Sequence, residues 1–189
     1  MKSSLLIAIL LATCTSQSQT LRVVPVHLDA AVPIPKRIQF FCTQDYNRQA
    51  CLNDSVALRA SLSRYPLDRI GTWSYVLFPA DNWKALVGSL GGNPVSPAFS
   101  IIEQRMTMIE RSLFSAPASR SEELLQLFGV TGAALLDLAV THELGHAICQ
   151  DKDERHADEY GRGLRDRKPV GCAKNPQRMS AMSTVRRVR

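Results

Sequence analysis

The apolar segment at residues 131–149 constrains the fold of this chain more than any other feature of its sequence. It contains no proline, and its apolar side chains repeat at helical spacing, which predicts a long helix packed on a core. The apolar face consists of Leu135, Leu136, Ala139, Val140, Ala147 and Ile148. Because His142 and His146 are four residues apart, the helix stacks them on one face, where both imidazoles can reach one ion.

Glu143 completes the pattern His-Glu-x-x-His. The helical period places it about 100° around the axis from His142, where it can act on a metal-bound water without being a ligand. The alternative is an ordinary amphipathic helix whose two histidines are hydrogen-bonded. Burying these polar groups in an apolar helix without a ligand role is costly, so the pattern predicts a zinc site.

A catalytic zinc ion usually takes three protein ligands and a water, so a third ligand is expected downstream. The next helical segment, 153–164, offers Glu154, His156 and Asp158. Glu154 and Asp158 share one helix face, whereas His156 points to the opposite side. We expect Glu154 to bind zinc and Asp158 to hold the outer edge of a ligand histidine, with His156 as the alternative third ligand.

These motifs resemble the gluzincin clan of zinc metallopeptidases, in particular members with HExxH followed by a helix that carries ExxxD, often ExxAD. The resemblance covers residues 142–165, with HELGH beginning at His142 and ERHAD beginning at Glu154. The departure is the gap, because only seven residues separate His146 from Glu154, fewer than in many gluzincins.

The resemblance implies an α+β class and a small single-domain zincin-like fold, with a mixed sheet packed on the HExxH helix. It also implies one Zn²⁺ per chain, bound by His142, His146 and Glu154, and hydrolysis of peptide or protein substrates with Glu143 as general base. By analogy, residues 106–114 would be the edge strand along which an extended peptide adds through main-chain hydrogen bonds.

Two other functions stay open at this point. The chain could be a zinc-binding protein of the same fold without peptidase activity, or a surface-binding module that acts through its basic tail. Glu143 favours the peptidase, because a binding role needs zinc ligands but no general base. Tyr160 is either a donor to the oxyanion or a helix residue packed on the domain, and we prefer the second interpretation.

Residues 1–18 predict a secretory signal peptide, because Lys2 precedes a ten-residue apolar run that is too short to span a bilayer. A buried N-terminal helix or strand is one alternative. Residues 11–14 also resemble a bacterial lipobox, which would place a lipid on Cys14. We therefore expect an exported protein, secreted or periplasmic, with a lipoprotein anchored to the membrane through Cys14 as the second possibility.

Four cysteines remain when Cys14 is set aside. In an exported chain they suggest two disulfides, and sequence proximity favours the pairs Cys42–Cys51 and Cys149–Cys172. The alternative is four buried free thiols.

The net charge of +6 arises from basic residues near the C-terminus. Residues 161–189 carry nine Lys and Arg and one Asp, which leaves the first 160 residues at −2. We expect a domain at 19–168 and a basic, disordered tail at 169–189. The tail has no interleaved aromatic residue, which disfavours nucleic acid, and contact with an anionic surface is the alternative to a solvated tail.

Local patterns predict the remaining elements. Strands are expected at 21–30, 72–78, 98–102 and 106–114, the last two forming a hairpin. Helices are expected at 53–65, at 81–90 and from a capping box at Ser119 and Glu122 to about Phe128. Residues 31–52 are expected to be mostly loop.

Overall fold

A five-stranded mixed sheet lies at the centre of the computed structural model, which describes residues 22–28 and 34–172. The strands are β1 (Val23–Pro25), β2 (Ile38–Thr43), β3 (Trp73–Phe78), β4 (Ala98–Ile101) and β5 (Met106–Glu110). Their order across the sheet is β1-β2-β3-β5-β4. The three inner strands are parallel to one another, and each edge strand is antiparallel to its neighbour.

Five α-helices accompany the sheet in the described residues. They are α1 (Arg48–Leu62), α2 (Trp83–Ser89), α3 (Ala118–Phe128), α4 (Gly132–Cys149) and α5 (Glu154–Arg165). The described residues therefore form a small α+β fold, as the sequence predicts. No single helix among them is long and apolar enough to cross a membrane, and α3 and α4, which meet at a bend of 57°, satisfy both conditions only as a pair.

The inner strands are buried on both faces of the sheet. Successive side chains alternate between the faces, so Tyr75 and Leu77 belong to a core with α1 and α4, while Val76 and Phe78 belong to a second core with α2. Parallel strands that are covered on both faces have nearly continuous apolar sequences, which explains why β3 is mostly apolar. Helix α4 thus lies on one face of the sheet, with Leu144 fully buried.

The prediction that residues 31–52 are mostly loop is wrong, because they include strand β2 and the first turn of α1. β2 pairs in parallel with β3, and its apolar run has no clean alternation because both of its faces are buried. Helix α1 begins at Arg48 instead of near Asn53, because the side chain of Asn47 caps it by accepting a hydrogen bond from the Ala50 amide at 2.9 Å.

The predicted hairpin of β4 and β5 is confirmed, and Ser100 pairs with Thr107 in its register. The expectation that residues 106–114 form the edge strand is wrong. β5 pairs with β3 on its other side, and the chain then turns into a 3₁₀ helix at Arg111–Leu113. The free edge on this side of the sheet belongs to β4.

Helix α3 does not begin with the expected capping box. Pro117 occupies the N-cap position without a side-chain hydrogen bond, so Ser119 lies inside the first turn. The strand expected at 21–30 is confirmed for Val23–Pro25, where Pro25 lies on an edge strand as anticipated.

Two disulfides, Cys42–Cys51 and Cys149–Cys172, confirm the pairing expected from sequence proximity. Such bonds persist in oxidising compartments, so they are consistent with an extracellular or periplasmic protein. The predicted signal peptide at 1–18, Cys14 and the tail beyond residue 172 lie outside the described residues.

Candidate metal centre

Helices α4 and α5 form the site by packing closely side by side. A Cβ on Gly145 would lie only 2.8 Å from the Cα of Ala157. Glycine and alanine at this crossing therefore allow the two backbones to approach to a distance that larger side chains would prevent. The close approach brings the start of α5 beside the histidine face of α4.

A short turn reverses the chain between the two helices. Gln150 adopts a left-handed backbone conformation with φ of 51° and ends α4. The carboxylate of Asp153 then caps α5 by accepting from the amides of Arg155 at 2.9 Å and His156 at 3.3 Å. These two features explain how a gap of seven residues suffices to place Glu154 beside His146.

Three side-chain atoms converge on one point, as the sequence predicts for a metal site. His142 Nε2 lies 3.2 Å from His146 Nε2 and 3.0 Å from Glu154 Oε2, and His146 Nε2 lies 3.6 Å from that same oxygen. Tetrahedral zinc with bonds of about 2.0–2.2 Å separates its ligand atoms by about 3.3 Å, so the observed spacing fits one ion. His142, His146 and Glu154 therefore form a group that could hold a metal.

The far nitrogen of each ligand histidine is also fixed. His142 Nδ1 donates to Asp158 Oδ1 at 2.8 Å, and His146 Nδ1 donates to the carbonyl oxygen of Asp151 at 2.7 Å. Since the Nδ1 protons are engaged in these contacts, both Nε2 atoms can turn a lone pair to the same point once a metal displaces the protons they hold. Asp158 thus lies where the sequence places it, at the outer edge of a ligand histidine.

In the metal-free chain, the histidines and the neighbouring carboxylates stabilise each other's charged forms. Burial lowers the pKa of His142, but hydrogen bonds to Glu154 and Asp158 and the nearby Glu143 carboxylate outweigh it and raise the pKa to about 9. Hydrogen bonds from both histidines hold the pKa of Glu154 well below its usual range. A metal ion would replace the protons that the histidines hold.

Glu143 is buried beside the ligand group. Its carboxylate accepts a hydrogen bond from Ser100 Oγ at 2.5 Å. Burial raises the pKa of Glu143, although His142, His146 and Ser100 act to lower it. A buried carboxylate with a raised pKa next to a metal site is suited to proton transfer.

These side chains open onto a cleft of about 860 Å³ between the free edge of β4 and helix α4. His142, Glu143, His146 and Glu154 line it on the helix side, and Ser100 lines it on the strand side. Strand β4 and the histidine pair therefore face the same cleft.

Two other residues considered from the sequence lie outside this group. His156 Nδ1 contacts Asp151 Oδ2 at 2.7 Å and does not join the three converging atoms. Tyr160 is buried and accepts a hydrogen bond from Arg69 Nη1 at 2.8 Å, away from the cleft lining. The packing interpretation of Tyr160 is therefore confirmed.

Ser100 was not anticipated from the sequence. The only signal is a small polar residue between apolar neighbours in a predicted strand, which places it on the face opposite to Phe99 and Ile101. Its partner Glu143 is 43 residues away, so no local pattern connects them.

Comparison of the chain with known protein families, with curated proteins and with solved structures gave no match. What the site can do is therefore inferred from its geometry and chemistry.

Proposed function

We propose that this protein is a zinc-dependent peptidase that resembles the gluzincins and hydrolyses peptide bonds with Glu143 as general base. The convergence of His142 Nε2, His146 Nε2 and Glu154 Oε2 carries this proposal. A site that only stored a metal would have no use for a buried carboxylate one residue after the first ligand.

His142, His146 and Glu154 would hold one Zn²⁺, which, when bound, polarises the scissile carbonyl and lowers the pKa of a water. Glu143 would accept a proton from the water that attacks the carbonyl carbon. The same carboxyl group then gives the proton to the amine that leaves when the C–N bond breaks. Asp158 and the carbonyl of Asp151 keep the two imidazoles in the tautomer that binds the metal.

The free edge of β4 supports a peptide as the substrate. An extended main chain can add to an open strand edge by hydrogen bonding, and the cleft between β4 and α4 leads to Glu143 and the ligand group. We propose export to an oxidising compartment on the strength of the two disulfides.

The test compares the wild type with Glu143→Gln on casein and on a peptide library, with zinc content measured in both. Glu143→Gln should lower kcat about 10²–10⁴-fold while one zinc stays bound per chain, because it removes the base and leaves all three ligands. Glu159→Gln, an exposed position on α5, is the matched control and should leave activity unchanged.

An inactive wild type that binds one zinc per chain would contradict the peptidase proposal. That result would favour the second function, a zinc-binding protein without proteolytic activity.

A further inference from the structure

A chain of hydrogen bonds runs from the core of the sheet to Glu143. The indole Nε1 of Trp73 on β3 donates to Thr107 Oγ1 on β5 at 3.0 Å. Thr107 Oγ1 lies 2.8 Å from Ser100 Oγ on β4, and Ser100 Oγ donates to Glu143 Oε2 on α4 at 2.5 Å. Three strands and helix α4 thus meet in one line of hydrogen bonds.

The protons in this line can point in only one direction. An indole nitrogen donates and never accepts, and each hydroxyl has a single proton. Because Ser100 gives its proton to the carboxylate, Thr107 must give its own to Ser100, and it accepts from Trp73. Every hydroxyl therefore donates towards Glu143, so the line places a fixed donor at the carboxylate.

The burial of the line makes its geometry rigid. Thr107 is 0% exposed and Trp73 is 1% exposed, and the cross-strand register sets Thr107 directly opposite Ser100. Within the described part of the chain, Ser100 is the residue that donates a hydrogen bond to the Glu143 carboxylate. The nearby Tyr75 hydroxyl, also buried, makes no hydrogen bond to it.

We propose that Ser100, Thr107 and Trp73 are positioning residues that hold one oxygen of Glu143, so that the other oxygen is kept in place to accept a proton. This inference deepens the proposed function and rests on it. The line occupies Oε2 and leaves Oε1 free for the proton transfer. A carboxylate without this anchor would sample several rotamers, and misplacement of a reacting group by about 1 Å can cost about a hundredfold in rate.

The kinetic arm of the test uses paired variants. Ser100→Ala removes the donor and Ser100→Thr keeps a hydroxyl, while Thr107→Val removes the second hydroxyl from a buried position that does not line the cleft. Ser100→Ala and Thr107→Val should lower kcat about tenfold or more with KM and zinc content unchanged. Ser100→Thr should restore most of the lost rate.

The second arm is independent of activity. The chain has two tryptophans, so its amide NMR spectrum contains two indole signals. Trp83 belongs to the core on the other face of the sheet and donates to the Ser96 carbonyl. Glu143→Gln should shift the Trp73 indole signal through the hydrogen-bonded line and leave the Trp83 signal in place. Ser100→Ala should also shift the Trp73 signal.

The outcomes separate the two proposals. A wild type that binds zinc and cleaves nothing contradicts the proposed function before any variant is compared. An active wild type whose kcat is unchanged by Ser100→Ala contradicts the positioning role alone. An unmoved Trp73 signal in folded Glu143→Gln would likewise overturn it.

Discussion

Gly161 on α5 lies against the backbone of Thr141 on α4, so closely that an added Cβ would lie 2.9 Å from the Thr141 carbonyl oxygen. Thr141 directly precedes the first ligand histidine. This contact and the one between Gly145 and Ala157 set the separation of the two helices that carry the candidate ligands. The candidate metal site therefore depends on two glycines, Gly145 and Gly161.

Gly161→Ala should destabilise the protein and weaken zinc binding together. Alanine is the better helix former, but its methyl group would meet backbone atoms that cannot move aside, so we expect a loss of about 1–3 kcal/mol in the free energy of unfolding. Urea titration and zinc titration calorimetry measure both effects. Gly88→Ala on α2 is the matched control, because nothing lies within 4 Å of its added Cβ, and it should gain about 0.5–1 kcal/mol. Equal effects of the two substitutions would contradict the close-packing explanation.

Glu154→Ala and His156→Ala distinguish the two candidates for the third ligand. Glu154→Ala should lower zinc affinity by more than about a hundredfold, since even partners behind the ligands are worth about 10–100-fold. His156→Ala should change it little, because His156 contacts Asp151 and not the converging atoms. Competition with a chromophoric chelator measures both affinities. Loss of zinc only in His156→Ala would show that the third ligand is His156.

Asp158→Asn should weaken zinc binding by about 10–100-fold while the fold stays intact. The substitution keeps an oxygen near His142 Nδ1 but removes the negative charge that supports the imidazole. Asp166→Asn, at the C-terminal end of α5, is the control and should leave zinc affinity unchanged. The same chelator competition measures these affinities. An unchanged zinc affinity in Asp158→Asn would contradict the role of Asp158 in supporting His142.

The ligand group could be predicted from the sequence because its geometry is local. Helical spacing alone puts His142 and His146 on one face, and it puts Glu154 and Asp158 on one face of the next helix. Only the crossing of α4 and α5 brings these faces together, and the spacing of residues gives no direct sign of that crossing.

Features that depend on partners distant in the sequence could not be predicted. The sequence does not reveal β2, because a strand buried on both faces lacks the alternation of apolar and polar residues that indicates a strand. The sequence does not show which strand lies at the edge, because β5 pairs in parallel with β3, a contact that no neighbouring residue indicates. The sequence gives no sign of the Ser100 contact for the same reason, since its partner Glu143 lies on another element.

The two disulfides should differ in their effect on the metal site. Cys149 ends α4 three residues after His146, and its bond to Cys172 ties that end to the chain beyond α5, whereas Cys42–Cys51 joins β2 to α1. Replacing either pair by alanines should cost about 3 kcal/mol in the free energy of unfolding. Only the Cys149 and Cys172 double variant should also lose zinc affinity, measured by calorimetry at a temperature where both variants are folded. A similar loss in both would contradict the local role of Cys149–Cys172.

The stabilisation that zinc gives should grow as pH rises from about 6.5 to 9. In the metal-free chain the pKa of His142 is raised from 6.5 to about 9, so its charged contacts stabilise the fold fully below pH 6.5 and lose that effect as pH rises through 9. Zinc binds the neutral imidazole, so its apparent affinity rises over the same window as fewer protons must be displaced. The melting temperature of the zinc-loaded protein minus that of the metal-free protein, at constant free zinc, should therefore widen with pH. Without metal, the melting temperature of His142→Ala should not show the decline between pH 6.5 and 9 that is expected for the wild type. A difference between the zinc-loaded and metal-free melting temperatures that narrows with pH in the wild type would contradict this account of the site.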